Sequence, residues 1–245
     1  MRFTEHFAAH FRRLAAVLVT AVAVTACGGG SDRRGLGPDY AEGLWAGATS
    51  SGGTLDGVIL DTGEYWLVFG SGGVARSLVY GTGYMDGRTF RSDNGIDYFF
   101  GQNAPFASTL AADVEPEYRL SGSLYLANRP EGFDLGYVPE YRFPANPNQI
   151  VGTWRGSAST LTTLGDFAIT IVPGGDFAAT LSGCDYAGRI VPNRGGRNVF
   201  DFTFASQPNC PFAFIAQGAM VATSGRLVFT GTTPDRRDAF YAVAQ

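Results

Sequence analysis

The chain has no lysine, and its two histidines, His6 and His10, both lie within the first ten of 245 residues. A Ser–His–Asp or Cys–His hydrolase needs an imidazole to take the nucleophile's proton near neutral pH, so those mechanisms are closed to everything downstream. Serine–lysine catalysis and Schiff-base chemistry fail for want of an amine. Three cysteines, Cys27, Cys184 and Cys210, with no imidazole nearby do not make a zinc site, so no metal is expected. Any sustained helical period after residue 30 is also missing, which removes helical bundles and α/β folds.

The remaining acid/base candidates are carboxylate pairs: Asp61 with Glu64, Glu115 with Glu117, and Asp235 with Asp238. The first flanks a Thr62-Gly63 turn and the second straddles Pro116, where solvated acids are ordinary. Glycosidic chemistry needs two acids at a fixed separation across a cleft, which spacing alone does not supply. The chain therefore reads as non-enzymatic and without a cofactor. "GSGGVA", residues 70 to 75, has the spacing of a dinucleotide-binding turn, but β-like "RSLVYGTG" follows where a helix is required, so a glycine hairpin is expected. "DNGID", Asp93 to Asp97, lacks the oxygen alternation and terminal Glu of a helical-hand calcium loop and reads as a solvated turn.

What is present begins with Arg2, Arg12 and Arg13, followed by the uncharged run "LAAVLVTAVAVTA" from Leu14 to Ala26. Thirteen apolar or small residues are too few to cross a bilayer and match the apolar region of a secretory signal, placed at residues 1–26. Val24, Thr25 and Ala26 precede Cys27, and "GGGSDRRGLGPD" follows. This resembles the lipobox of bacterial lipoproteins. The resemblance implies a diacylglyceryl group on the Cys27 thiol, cleavage just before it, acylation of the new amino terminus, and anchoring in a membrane. Gly28, rather than Asp, after the cysteine implies the outer membrane. Without the signal, 15 Arg face 21 Asp and Glu, a net charge near −6 that disfavours nucleic acid. In an exported protein Cys184 and Cys210 are most simply one disulfide. Closing a loop of about 26 residues stabilises by roughly 3 kcal/mol.

After a flexible tether over residues 27–39, two stretches resemble each other at an offset of about 110 residues. "EGLWAGATSSGGTLDGVILDTGEYWLVFG" and "VGTWRGSASTLTTLGDFAITIVPGGDFAATLSG" share a Gly-x-Trp-x-Gly start, at Trp45 and Trp154, and a glycine turn before Glu64-Tyr65 or Asp176-Phe177. "PANPNQ", residues 144–149, marks the boundary, because its prolines cannot continue a hydrogen-bonded ladder. The expected domains are 40–143 and 150–245. Each is rich in Val, Ile, Phe, Tyr and Thr between turns such as Asp86-Gly87, Asn94-Gly95 and Pro173-Gly174-Gly175. About eight short antiparallel strands per domain suggest an all-β meander that avoids raw edges by closing into a small barrel.

"GLW" and "GTW" at the start of each first strand resemble the Gly-x-Trp signature of the calycin group, which includes lipocalins and avidins. The resemblance implies that each Trp closes one barrel end, with an Arg from the last strand packed across it. Arg142 of "PEYRF" and Arg236 or Arg237 of "DRRDAFYAV" fit that role. Tandem β-lobed lipoproteins such as transferrin-binding surface receptors offer an architectural parallel without shared motifs. Most aromatics must be core, but the adjacent aromatics in "EYW" and "DYFF" require at least one of each run to face outward or into a loop. The expected protein is a lipid-anchored envelope binding module with a possible protein partner. The alternatives are a carrier of a small apolar ligand in a hollow barrel and a structural envelope lipoprotein.

Overall fold

The computed structural model describes residues 36–127, 129–207, 215–223 and 225–245. The signal segment, Cys27 and Cys210 lie outside them. The first domain runs through β1 (Gly43–Thr49), β2 (Thr54–Ile59), β3 (Glu64–Ser71), β4 (Val74–Thr82), β5 (Tyr84–Asp86), β6 (Thr89–Phe99), β7 (Phe106–Glu115), β8 (Arg119–Leu126) and β9 (Arg129–Tyr137). Neighbours in sequence pair antiparallel except β4 and β5, β1 pairs with β9, and β4 pairs with β6 to close the ring. Eight strands make this barrel, and the three-residue β5 sits outside the ring on β6. The second domain is a closed barrel of β10 (Gly152–Ser159), β11 (Leu164–Ile171), β12 (Asp176–Leu181), β13 (Cys184–Pro192), β14 (Phe200–Ser206), β15 (Ile215–Thr223), β16 (Arg226–Thr232) and β17 (Ala239–Ala244). Closure leaves no raw edge in either ring.

The period-two pattern is cleanest in β12, "DFAATL", whose residues alternate exposed and buried along its whole length. Inward positions of the second barrel gather Phe167, Phe177, Tyr186, Phe202, Phe204, Phe229 and Phe240 into one cluster. The first barrel is filled mainly by aliphatic side chains, with Trp45, Tyr65 and Phe90. Where β10 meets β17 to seal the second ring, a Cβ at Gly156 would collide with the Val243 carbonyl, so glycine is required there.

The two Gly-x-Trp segments share one local geometry. A 3₁₀ turn opening on proline, Pro38–Ala41 or Pro147–Gln149, leads into each. The Trp45 Nε1–H then donates to the Ala41 carbonyl at 3.1 Å, and the Trp154 Nε1–H donates to the Ile150 carbonyl at 2.9 Å. In the first copy the indole folds back over Gly43, where a Cβ would lie 2.8 Å from its ring. Trp45 is fully buried, while Trp154 keeps contact with solvent.

A third apolar cluster joins the outer faces of the two barrels. Val58, Trp66, Val68, Leu78 and Tyr98 come from the first barrel, and Leu161, Val199, Ala219, Val221 and Ala239 from the second. Trp66 and Tyr98 do face outward from their own barrel, yet they are only 3% and 0% exposed. Their outward placement therefore forms a seam between domains and not a free aromatic patch. Polar contacts tie the seam at both ends. Arg197 pairs with Glu42 at 2.6 Å near the Trp ends, and the Gly101 N–H donates to the Leu161 carbonyl at 2.9 Å near the opposite ends. The two barrels thus lie side by side with their Trp ends facing the same way.

Candidate interdomain ligand site

The interior of the second barrel holds a void of only about 10 Å³ amid its seven aromatic rings. A water needs about that much room and polar partners as well, and this space is lined by Phe, Tyr, Ile, Leu and Ala side chains. The alternative of an apolar ligand carried inside the barrel therefore finds no room in this one. Edge-to-face packing is the cause: Phe204 and Phe240 lie 4.8 Å apart, and Phe167 meets Phe229 at 5.8 Å.

The first barrel contains an unusual polar group. Asp97 on β6 is 0% exposed, and its Oδ2 accepts the Ala127 N–H at 2.7 Å. Ala127 has a left-handed backbone, φ 46°, at the β8–β9 hairpin, so the carboxylate braces that turn. Burial pushes the Asp97 carboxyl up from the usual carboxylate range, and the Ala127 N–H and nearby Ser77 pull it partly back. Neither Asp97 Oδ1 nor Ser77 Oγ reaches a partner in hydrogen-bonding geometry. "DNGID" is thus not a solvated turn: it lies inside β6, with the register shifting between Ser92 and Gly95.

A raised folded-state value means that Asp97 favours folding at low pH, and that this contribution is lost as pH rises through the raised value. Asp97→Asn keeps an acceptor for Ala127 and adds a donor for Ser77. It is expected to stabilise the protein by about 1–3 kcal/mol at pH 7. Denaturant titrations should show the advantage shrinking toward pH 4. An advantage of the same size at both pH values would contradict the assignment.

Four of the other singled-out acids act as braces. Glu64 accepts the Tyr80 hydroxyl at 2.6 Å, and Glu117 pairs with Arg142 at 2.9 Å. Asp235 accepts from Thr233 Oγ1 and the Arg237 N–H, and Asp238 accepts from the Leu161 and Ala239 N–H groups. "GSGGVA" forms the β3–β4 hairpin, with Gly72 and Gly73 at positive φ. Among the described residues no three His, Cys, Asp or Glu side chains gather as a metal set. Cys184 is buried at the start of β13 and is not a free thiol.

The arginines expected to cover the tryptophans go elsewhere. Arg142 lies over Tyr137, 5.4 Å from the ring centre, and Tyr137 in turn meets Trp45 edge-on at 5.5 Å. Arg236 crosses the seam to sit 4.8 Å over Tyr80, while its carbonyl accepts the Tyr98 hydroxyl at 2.9 Å. Arg237 is exposed beside Asp235. The reason is topological: "PEYR" forms a 3₁₀ turn beyond β9, and "DRRD" turns between β16 and β17 at the end away from Trp154.

Sequence reasoning did not single out the cleft that opens along the seam. It has a volume of about 250 Å³. Leu44, Val58 and Val68 wall one side, and Val221 and Val228 the other. Asp56 of β2 and Arg226 of β16 bring opposite charges to it from different barrels, with Thr223 and Tyr241 nearby. Arg226 acts electrostatically on Asp56, but the two form no ion pair. Crowding by neighbours raises the Asp56 carboxyl, and Arg226 opposes the rise. The Tyr241 hydroxyl makes no hydrogen bond to the described residues. The signal for Asp56 was its place on the same face of β2 as apolar Val58, but its partner lies 170 positions away in another domain.

A second, larger depression of about 540 Å³ lies under the interdomain connection. Its lining includes Trp154, Phe143, Glu140, Gln149 and Asn198.

No protein-family model matches the chain, and no curated protein matches it. Among solved structures, a protein of unknown function from the DUF3598 family of Nostoc punctiforme PCC 73102 is similar at 10% identity and a TM-score of 0.29. That match covers 85% of this chain and 98% of the other. Isotype 1 transferrin binding protein B from serogroup B Neisseria meningitidis is similar at 13% identity and a TM-score of 0.28, over 78% of this chain and 51% of that one. The chain thus spans about half the length of the Neisseria protein.

Proposed function

We propose that the protein is a lipid-anchored, non-enzymatic binding module of the bacterial outer membrane, held through Cys27 and binding its ligand or partner on the outside of its barrels. The observation that carries the external site is the filled second barrel, with its void of about 10 Å³. Lack of lysine, and of histidine beyond residue 10, supports the non-enzymatic reading. The apolar run before "VTAC" supports the anchor. Membrane fractionation of wild type and Cys27→Ala tests the anchor, with the variant expected in the soluble fraction. A variant that stays fully with the membrane would refute it.

The module is further braced by a Cys184–Cys210 disulfide, which ties the β12–β13 turn to the connection between β14 and β15. Replacing both cysteines with alanine should lower stability by about 3 kcal/mol, read by denaturant titration without reductant. Mass spectrometry that found free thiols at both positions in exported protein would remove the bridge.

A further inference from the structure

We infer that the interdomain cleft binds a small zwitterion with a short aliphatic body, of the size and chemistry of a free aliphatic amino acid. The inference deepens the binding-module reading and rests on it. The cleft's walls are aliphatic on both sides, and Leu44 and Val228 remain partly accessible within it. An apolar body therefore finds surface to cover. Asp56 and Arg226 supply one charge of each sign, neither consumed by the other as an ion pair. Both are solvent-accessible at the cleft.

These charges select among ligand classes. A purely apolar ligand would shield Asp56 and Arg226 from water without replacing it. An anion gains from Arg226 but is opposed by Asp56, and a cation meets the reverse. A ligand carrying both charges places an ammonium toward Asp56 and a carboxylate toward Arg226, with the unused Tyr241 hydroxyl as a further donor or acceptor. At about 250 Å³ the site falls below the usual range of about 300–1,000 Å³ for small-molecule pockets, which favours a single amino acid over a peptide. Each barrel contributes one charge and one apolar wall, so neither domain holds the site alone.

Isothermal titration of the full chain in detergent, with leucine, hexanoate and pentylamine as probes, tests the inference. Leucine should bind at least about tenfold more tightly than either singly charged analogue. Asp56→Asn and Arg226→Gln should each weaken leucine by about tenfold or more. Val228→Trp, which fills the cleft without touching either charge, should abolish binding. Melting temperatures of the variants establish that they are folded. No leucine binding at about 10 mM, or hexanoate binding as tightly as leucine, would overturn the zwitterion site. Either result leaves the anchor untouched, because fractionation of Cys27→Ala reads that separately. A chain that fractionates as soluble and still binds leucine would sink the anchor alone.

Discussion

Replacing Trp66 with alanine is expected to destabilise the protein by about 3–5 kcal/mol, the range for removing a large aromatic from a packed core. By strand direction alone Trp66 is an outward residue of the first barrel, and such positions on a free surface change stability by only about 0.5 kcal/mol. The difference arises because the second barrel covers it: Trp66 is 3% exposed and packs 5.2 Å from Tyr80 within the seam. Tyr80 in turn carries the Arg236 guanidinium from the other domain, so the deletion undercuts a stacked column that spans both barrels. Tyr118→Ala, at a site 70% exposed in the β7–β8 turn, is the control and should shift stability little. Equal small effects at both positions in denaturant titrations would mean that the seam opens readily in solution. A second transition in Trp66→Ala would show that the barrels unfold separately once their joint core is lost.

Release from the membrane on Cys27→Ala should be the largest effect of any single substitution. Each buried methylene contributes about 0.8 kcal/mol, so even two long acyl chains outweigh the protein's entire folding stability of about 5–15 kcal/mol. Among the described residues no helix is long and apolar enough to cross a membrane. A net charge near −6 for the chain cut before Cys27, as proposed, would oppose adsorption to anionic lipid. The expected readout is a shift of essentially all the protein to the soluble fraction, accompanied by loss of the lipid mass on the amino-terminal peptide. Retention of that mass in the variant would place the acyl groups on another residue.

Much of the architecture was legible because β-barrels advertise themselves locally. Alternation in "DFAATL" and the glycine turns at Gly63 and Gly174-Gly175 depend on residues only a few positions apart. The duplicated Gly-x-Trp start was equally readable. It encodes a self-contained fold-back, in which an indole reaches the carbonyl four residues earlier and so needs no distant partner.

The site was not legible for the opposite reason. Asp56 and Arg226 look like ordinary polar positions on their strands, and only the juxtaposition of β2 with β16 brings them to one cleft. The same holds for Asp97: its strand and turn signals suggested solvent, but a register shift in β6 sends its carboxylate to brace Ala127 inside the barrel. The arginines show a related failure, since a motif-based pairing with tryptophan ignored that Tyr137 stands between Arg142 and Trp45 and that the Arg236-Arg237 turn occupies the barrel end away from Trp154.

By itself, then, the amino-acid order determined the strand type and the paired barrels, because alternation and turn geometry are short-range properties. Only tertiary structure decided that the second barrel is filled, that outward Trp66 and Tyr98 form a seam, and that two distant charges share a cleft. Those outcomes depend on how whole surfaces meet. The free energy of covering a face resides in its partner as much as in the residues that make the face.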